Sequence, residues 1–211
     1  MNCRKEDMLL YVITDRHWLN GETLYQQVEK ALKGGVTFLQ LREKNLDEEH
    51  FMEEAREIKK LCGEYQVPFI INDNVEIAQA VGADGVHVGQ SDMEAGDVRA
   101  RLGADKIIGV SAKTVEQALL AEKHGADYLG VGAIYPTGTK KDADAVTPGM
   151  LAKICQAVDI PVVAIGGLNK EHLELLKGTG VDGIAVVSAL FAADDIEKAA
   201  EELKEAVKKV L

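Results

Sequence analysis

The chain has 211 residues, of which 46% are hydrophobic and 28% are charged. This composition excludes disordered and collagen-like proteins. The length suits one compact domain over residues 1–211, because single cores grow to roughly 250 residues before chains divide. Lys and Arg number 24 against 35 Asp and Glu, a net charge of -11. That charge disfavours nucleic acid and anionic membranes as partners.

The cysteines and the N-terminal segment indicate a reducing compartment. Cys3, Cys62 and Cys155 are odd in number and widely spaced, so we expect reduced thiols rather than a disulfide framework or a zinc site. The first apolar run, Met8 to Ile13, is shorter than the core of a signal peptide. No run approaches the ~20 apolar residues of a membrane span. We therefore expect a cytoplasmic protein.

Short β-branched apolar runs alternate with amphipathic stretches along the whole chain. The amphipathic stretches, such as Leu46 to Tyr65 and Val115 to His124, have apolar residues at helical spacing. The predicted strands are Leu9 to Thr14, Phe38 to Leu41, Phe69 to Asn72, Val86 to Val88, Ile107 to Ser111, Tyr128 to Val131, Val162 to Ile165 and Ile184 to Val187. Together these elements make eight βα units.

A weak internal repeat precedes four of the predicted strands. Its copies are Gly35 to Leu39, Gly82 to Val86, Gly125 to Leu129 and Gly180 to Ile184. The first glycine of each copy is predicted to end a helix in the left-handed conformation. Eight such units with right-handed crossovers predict an α/β fold, a (β/α)8 TIM barrel. An open doubly wound sheet is the alternative, although no G-x-G-x-x-G follows the first strand.

Polar residues collect where the predicted strands end, the rim that carries the chemistry of a barrel. In the second strand, Leu39 and Leu41 should face the helices. Gln40, Arg42 and Lys44 should then point into the barrel mouth. Two unpaired cations there would be costly to desolvate, so we expect an anionic ligand such as a phosphate. The alternative is that Arg42 pairs with a nearby carboxylate.

Two aspartates at neighbouring strand ends predict a metal site. Asn72 and Asp73 end the third strand, and Asp92 follows the fourth. Adjacent parallel strands lie about 5 Å apart, so the two carboxylates can share one cation. Oxygen ligands without Cys or His clusters favour Mg²⁺. The alternative for either aspartate is to cap the following helix.

Two later regions are candidates for binding a second anion. The connection Ile134 to Gly149 is the longest non-periodic one and contains Thr137 to Lys140; such loops are often functional, although a solvated loop is the alternative. Gly166-Gly167 and Val187-Ser188 follow strands seven and eight, the usual phosphate position of a barrel, with simple turns as the alternative. Two anion sites at one mouth indicate a reaction between two phosphorylated substrates.

Two further polar residues lie in strands four and five. Ser111 ends strand five with no predicted His/Asp relay, which favours a hydrogen bond to substrate over a nucleophilic role. We expect His87, inside strand four, to be a satisfied core histidine, with support of the metal site as the alternative.

These motifs together resemble the thiamine-phosphate synthase family of barrel enzymes. The matching blocks are Tyr11 to Asp15, Gln40 to Lys44, Ile71 to Asp73, Asp84 to Gln90 with Asp92, Gly109 to Ser111, Pro136 to Lys140 and Ala164 to Gly167. They occur in family order and cover nearly the whole chain. One local departure is Lys113, which stands where the family often has histidine.

The resemblance implies a transferase of thiamine biosynthesis that joins a hydroxymethylpyrimidine diphosphate to a thiazole phosphate, plain or carboxylated, and releases diphosphate. It implies Mg²⁺ held by Asp73 and Asp92. The residues implied for the pyrimidine diphosphate are Gln40, Leu41, Arg42, Glu43, Lys44, Asn72, Ser111 and Lys140. Those implied for the thiazole phosphate are Thr137, Gly138, Thr139, Gly167, Val187 and Ser188. Lys140, Ser111 and Arg42 are expected to carry the catalysis.

Two other functions are alternatives. One is a thiazole tautomerase, which resembles the same fold without the full diphosphate and metal set. The other is a non-catalytic barrel that binds a phosphorylated ligand. The presence of Arg42, Lys44, Asp73, Asp92 and Lys140 favours the synthase. The expected partners are the two small substrates, and the sequence leaves a homo-oligomer open.

Overall fold

The strands of the computed structural model, which describes residues 3–89, 95–135 and 145–211, close into a parallel barrel. Each strand pairs with the next in chain order, and β8 pairs with β1. The strands are β1 Leu10–Ile13, β2 Phe38–Leu41, β3 Phe69–Asn72, β4 Gly85–Val88, β5 Ile107–Ala112, β6 Tyr128–Gly132, β7 Val162–Ile165 and β8 Gly183–Val186. The predicted (β/α)8 barrel is confirmed, and the open sheet is excluded.

Helices cover the outside of the barrel. They are α1 Leu24–Lys33, α2 Glu48–Glu64, α3 Val75–Val81, α4 Ala95–Leu102, α5 Val115–Lys123, α6 Pro148–Ala157, α7 Ser188–Phe191 and α8 Ile196–Val210. The crossover from β7 to β8 differs from the expected βα unit, because Lys170–Leu176 forms a 3₁₀ helix. Gly178 and Gly180, at φ of +74° and +82°, follow within four residues. A 3₁₀ run of seven residues is longer than most.

The strands separate two apolar layers. The outer layer lies between strands and helices and contains Leu39 and Leu41, both fully buried, as the alternation of β2 predicted. The inner layer fills the barrel with Met8, Tyr11, Ile13, Phe38, Ile70, Ile107, Tyr128, Val163 and Ala185. The interior is therefore a packed core rather than a pore, which leaves the rim for ligands.

The sequence repeat closes the lower end of the barrel. The four first glycines, Gly35, Gly82, Gly125 and Gly180, all have φ between +65° and +89°, which confirms the left-handed conformation. Gly180 does not end a helix as predicted, because the preceding 3₁₀ helix ends at Leu176. The third residue of each repeat bonds reciprocally to the start of the preceding strand. Asp182 Oδ2 accepts from Val162 N–H at 2.9 Å, and Asp182 N–H donates to the Val162 carbonyl at 2.8 Å.

The same exchange joins Asp84 to Phe69, Asp127 to Ile108 and Thr37 to Leu10. These bonds fall within the pairs β1–β2, β3–β4, β5–β6 and β7–β8. The barrel is thus built from four βαβα quarters, each tied at its own base.

The cysteines agree with the expectation of reduced thiols. Cys3, Cys62 and Cys155 are free thiols. Burial raises the pKa of the Cys62 thiol to about 12, so it stays protonated and unreactive. Among the residues that the structure describes, no helix has the length and apolar character to span a bilayer.

Candidate active site

Strand β2 sends Gln40 into the barrel and Arg42 to its rim. Gln40 is 2% exposed, and its Nε2 donates to the phenol oxygen of Tyr11. Arg42 N–H donates to Thr14 Oγ1 at 2.9 Å, and Arg42 Nη1 donates to Asp15 Oδ2 at 3.2 Å. The alternative in which Arg42 pairs with a nearby carboxylate is therefore confirmed, because the loop after β1 brings Asp15 within reach.

Lys44 and the end of β3 meet at the same rim. Lys44 Nζ donates to Asp73 Oδ2 at 2.7 Å, and Asn72 Nδ2 donates to the same oxygen at 2.6 Å. Lys44 is thus also paired, and its partner is the predicted metal ligand. The sequence predicted Lys44 as an unpaired cation at the barrel mouth, and the structure pairs it with Asp73.

Asp73 does not cap the helix that follows it. The cap of α3 is Asn74, whose Oδ1 accepts from Ile77 N–H at 2.8 Å. Asp73 itself has a φ of +61°, in the left-handed region, and its N–H donates to the His87 carbonyl at 2.8 Å. The capping alternative is therefore wrong for Asp73. Its left-handed backbone conformation and its hydrogen bond to His87 hold the residue at the rim.

A buried chain of hydrogen bonds crosses the barrel from Gln40 to Ser111. The Tyr11 and Tyr128 phenol oxygens lie 2.8 Å apart, and Tyr128 Oη lies 2.8 Å from His87 Nδ1. His87 Nε2 lies 3.0 Å from Ser111 Oγ. Burial raises the pKa of both tyrosines, so both remain protonated and can donate. The chain fixes the imidazole and places the Ser111 hydroxyl at the end of β5.

The sequence prediction that Ser111 lacks a histidine partner is corrected by this contact. His87 is a satisfied core histidine, as expected, but one of its partners is Ser111. Its Nδ1 meets the Tyr128 phenol, where a Ser-His-Asp triad would have a carboxylate. Sequence reasoning missed Tyr128, although Gly109 opposite it signals room for a large ring.

Two predicted ligand residues in and just after β2 have side chains engaged away from the barrel mouth. Leu41 is fully buried in the outer layer, which leaves only its main chain for a ligand. Glu43 is 9% exposed and accepts from Arg16 Nε at 2.8 Å, while Arg16 Nη2 donates to Glu54 of α2 at 2.6 Å. Glu43 thus anchors the residues after β2 to the outer helix.

The ends of β7 and β8 carry the remaining described positions. Gly166 and Gly167 have φ of +99° and +61°. A Cβ on Gly166 would lie 2.5 Å from Ala133 Cβ, so glycine is required there by close packing. Val187 immediately precedes α7 and Ser188 begins it. Asp92, Thr137, Gly138, Thr139 and Lys140 lie outside the described residues, and their roles stay predictions.

Glu54 and Glu43 share one buried environment. Glu43 Oε1 and Glu54 Oε2 are buried, and within the described ranges neither has a hydrogen-bond partner. Burial raises the pKa of Glu54 from 4.5 to about 7, followed by the hydrogen bond that only a protonated Glu54 can make to Glu43 and by repulsion from the Glu43 charge. A proton on Glu54 Oε2 can be donated to Glu43 Oε1, which satisfies both oxygens.

We expect Glu54→Gln to stabilise the protein above pH 7. The pKa of Glu54 is higher in the folded protein than in the unfolded chain. Its contribution to the free energy of unfolding is therefore fully present below pH 4.5 and is lost as the pH rises through about 7. The glutamine amide can donate a hydrogen bond to Glu43 at every pH, as protonated Glu54 does only at lower pH. Chemical denaturation should give a gain of about 1 kcal/mol at pH 8, limited by solvent screening of this partly exposed group, and little difference at pH 4.5.

The matched control is Glu57→Gln on the exposed face of α2, which should give no pH-dependent difference. Equal stability of Glu54→Gln and the parent protein at pH 8 would contradict the shared-proton interpretation.

The closed barrel with polar side chains gathered at the carboxyl ends of β2, β3 and β5 defines a TIM-barrel enzyme. A family model described as Thiamine monophosphate synthase matches residues 10–190. The chain belongs to this family.

Individual relatives agree over nearly the full length. The chain is 53% identical over 200 residues to a thiamine-phosphate synthase of Clostridium beijerinckii, covering 95% of this chain and 96% of the relative. It is 50% identical over 203 residues to that of Clostridium tetani, covering 96% and 97%. A solved thiamine phosphate pyrophosphorylase from Pyrococcus furiosus is 43% identical with a TM-score of 0.90, covering 98% of each chain.

Proposed function

We propose that this chain is a thiamine-phosphate synthase, a transferase that joins a hydroxymethylpyrimidine diphosphate to a thiazole phosphate and releases diphosphate. Family membership and full-length relatives of that name support the reaction. The observation that carries it is the 2.7 Å contact between Lys44 Nζ and Asp73 Oδ2. It joins a cation suited to phosphate and a carboxylate suited to a metal at one point of the rim.

The pyrimidine diphosphate is assigned to the side of the mouth formed by β2, β3 and β5. Arg42 offers a planar fork for phosphate oxygens and Lys44 a compact charge. Asn72 adds an amide donor beside them. Gln40 and Ser111 terminate the buried hydrogen-bond chain, so both are held rigidly for the pyrimidine ring.

The other assignments follow the family pattern. Leu41 and Glu43 would contact the diphosphate through their main chain, and Lys140 through its ammonium group. The thiazole phosphate is assigned to Thr137, Gly138, Thr139, Gly167, Val187 and Ser188. No hydrogen bond within the described ranges engages the N–H of Gly167 or Ser188, which supports their use for an anion.

The donor set at the rim fits Mg²⁺. Within residues 3–89, 95–135 and 145–211 no group of three or more His, Cys, Asp or Glu side chains is arranged so that it could hold a metal ion. Mg²⁺ commonly needs only one or two carboxylates, with water and substrate phosphate oxygens completing its shell. Asp73, together with Asp92, would hold the ion, which when bound neutralises charge on the leaving diphosphate.

The proposed chemistry requires no protein nucleophile. The bond between the pyrimidine methylene carbon and the diphosphate oxygen breaks, and its electron pair leaves with the diphosphate. The electron-rich aminopyrimidine stabilises the resulting cation, to which the thiazole nitrogen donates its lone pair. Ser111 orients the ring, and Arg42, Lys44 and Lys140 stabilise the departing charge.

A diphosphate-release assay with both substrates tests this proposal. Release should need both substrates and Mg²⁺, and Asp92→Ala should lose most of it. Asp73→Asn should raise the Mg²⁺ concentration for half-maximal rate by at least about tenfold, because a ligand charge is removed. Asparagine is chosen because it tolerates the φ of +61° at this position.

Asp97→Asn, on the exposed side of α4, is the control and should leave the Mg²⁺ requirement unchanged. Release with the pyrimidine substrate alone would indicate a hydrolase. An unchanged Mg²⁺ requirement in Asp73→Asn would contradict the metal assignment.

A further inference from the structure

His172 makes a direct contact with the loop that follows β7. It lies in the 3₁₀ helix Lys170–Leu176, whose start is capped by Asn169. Its Nδ1 lies 2.7 Å from the Gly167 carbonyl oxygen. A carbonyl oxygen only accepts, so Nδ1 carries a proton and donates it.

The same imidazole stacks on Tyr135. The ring centroids are 3.8 Å apart and the planes differ by 17°. Tyr135 N–H in turn donates to the Gly166 carbonyl at 3.1 Å. One side chain therefore links the loop after β7 to the loop after β6, at the last described residue before Thr137 to Lys140.

The hydrogen bond from His172 fixes the orientation of the peptide group between Gly167 and Leu168. A trans peptide is planar, so fixing the Gly167 carbonyl directs the Leu168 N–H the opposite way. Two consecutive glycines would otherwise have the greatest backbone freedom of any residues. Gly166 is restrained by packing on Ala133 and by its bond from Tyr135, whereas His172 restrains Gly167.

We propose that His172 is a positioning residue for the thiazole phosphate. Its hydrogen bond to the Gly167 carbonyl fixes the Gly167–Leu168 peptide. Its ring braces Tyr135, whose N–H holds the Gly166–Gly167 peptide that carries the Gly167 N–H proposed for the phosphate. This inference rests on the proposed function, because Gly167 matters only if the thiazole phosphate binds there. It predicts that binding of one substrate depends on His172 and binding of the other does not.

Two substitutions separate the hydrogen bond from the stack. Asparagine places an amide donor near the position of Nδ1 and removes the ring, whereas phenylalanine keeps a ring on Tyr135 and removes the donor. We expect His172→Phe to raise the calorimetric Kd for thiazole phosphate about tenfold. His172→Asn should stay within about threefold of the parent protein. In both variants KM for the pyrimidine diphosphate should be unchanged.

The stack and the fold have their own controls. Tyr135→Phe should bind thiazole phosphate as the parent does, and Tyr135→Ala should weaken binding by a few fold. His50→Phe, on the exposed start of α2, should change neither constant. Equal Tm values across the series would show that the fold is kept.

Parent-like thiazole binding by His172→Phe would overturn the positioning role while leaving the proposed function intact. An equal rise in both substrate constants, or a fall in Tm that accounts for the loss, would assign His172 a structural role instead. Failure of the parent protein itself to bind thiazole phosphate would overturn both proposals.

Discussion

Replacing Gly109 with alanine is expected to lower the free energy of unfolding by about 3 kcal/mol. A Cβ at this position would lie 2.1 Å from Tyr128 Cζ and 2.2 Å from its phenol oxygen. The ring cannot retreat, because Tyr11, Phe38 and His87 pack around it with ring centroids within 5.8 Å. Moving it also breaks the hydrogen bonds to Tyr11 and His87.

Urea unfolding of Gly109→Ala measures this loss directly. Any folded fraction should also have a lower kcat, because Ser111 depends on His87 for its orientation. Gly63→Ala in α2 is the control, since no heavy atom lies within 4 Å of its added Cβ. It should be neutral or stabilising by up to about 1 kcal/mol. Stability of Gly109→Ala within 1 kcal/mol of the parent would show that the ring is free to move.

Replacing Lys140 with alanine is expected to lower kcat by about 10²–10³-fold. Its ammonium group is proposed to stabilise charge that grows on the diphosphate as the bond breaks, an interaction stronger in the transition state than before it. The affinity for thiazole phosphate should change much less than kcat. Rates at saturating concentrations of both substrates, with a separate binding titration, distinguish the two effects.

The neighbouring lysine provides a matched control for this experiment. Lys141→Ala removes the same charge one residue away and should retain most of kcat. An unchanged kcat for Lys140→Ala at saturation would remove Lys140 from the catalytic residues.

Most of the fold could be predicted from local pattern. The bounds predicted for β2, β3 and β7 match the structure, because short β-branched runs flanked by turns allow few other choices. The 3₁₀ helix Lys170–Leu176 could not be predicted from the sequence. The spacing of stacked His172 and buried Leu173 and Leu176 suits an α-helix equally well.

The site could be predicted wherever one strand decides the direction of a side chain. Alternation along β2 predicted Gln40 inward and Leu41 outward. Partners on other elements could not be predicted. The contacts of Arg42 with Asp15 and of Ser111 with His87 depend on the shear of the closed sheet, which periodicity does not encode.

The four βαβα quarters place structural hydrogen bonds and ligand-binding residues at opposite ends of the strands. At one end of the strands, hydrogen bonds join neighbouring strands through the side chains of Thr37, Asp84, Asp127 and Asp182. The proposed catalytic and binding side chains lie at the other end. Residues at the ligand-facing end of one strand pair can therefore be substituted without removing the hydrogen bonds at its base.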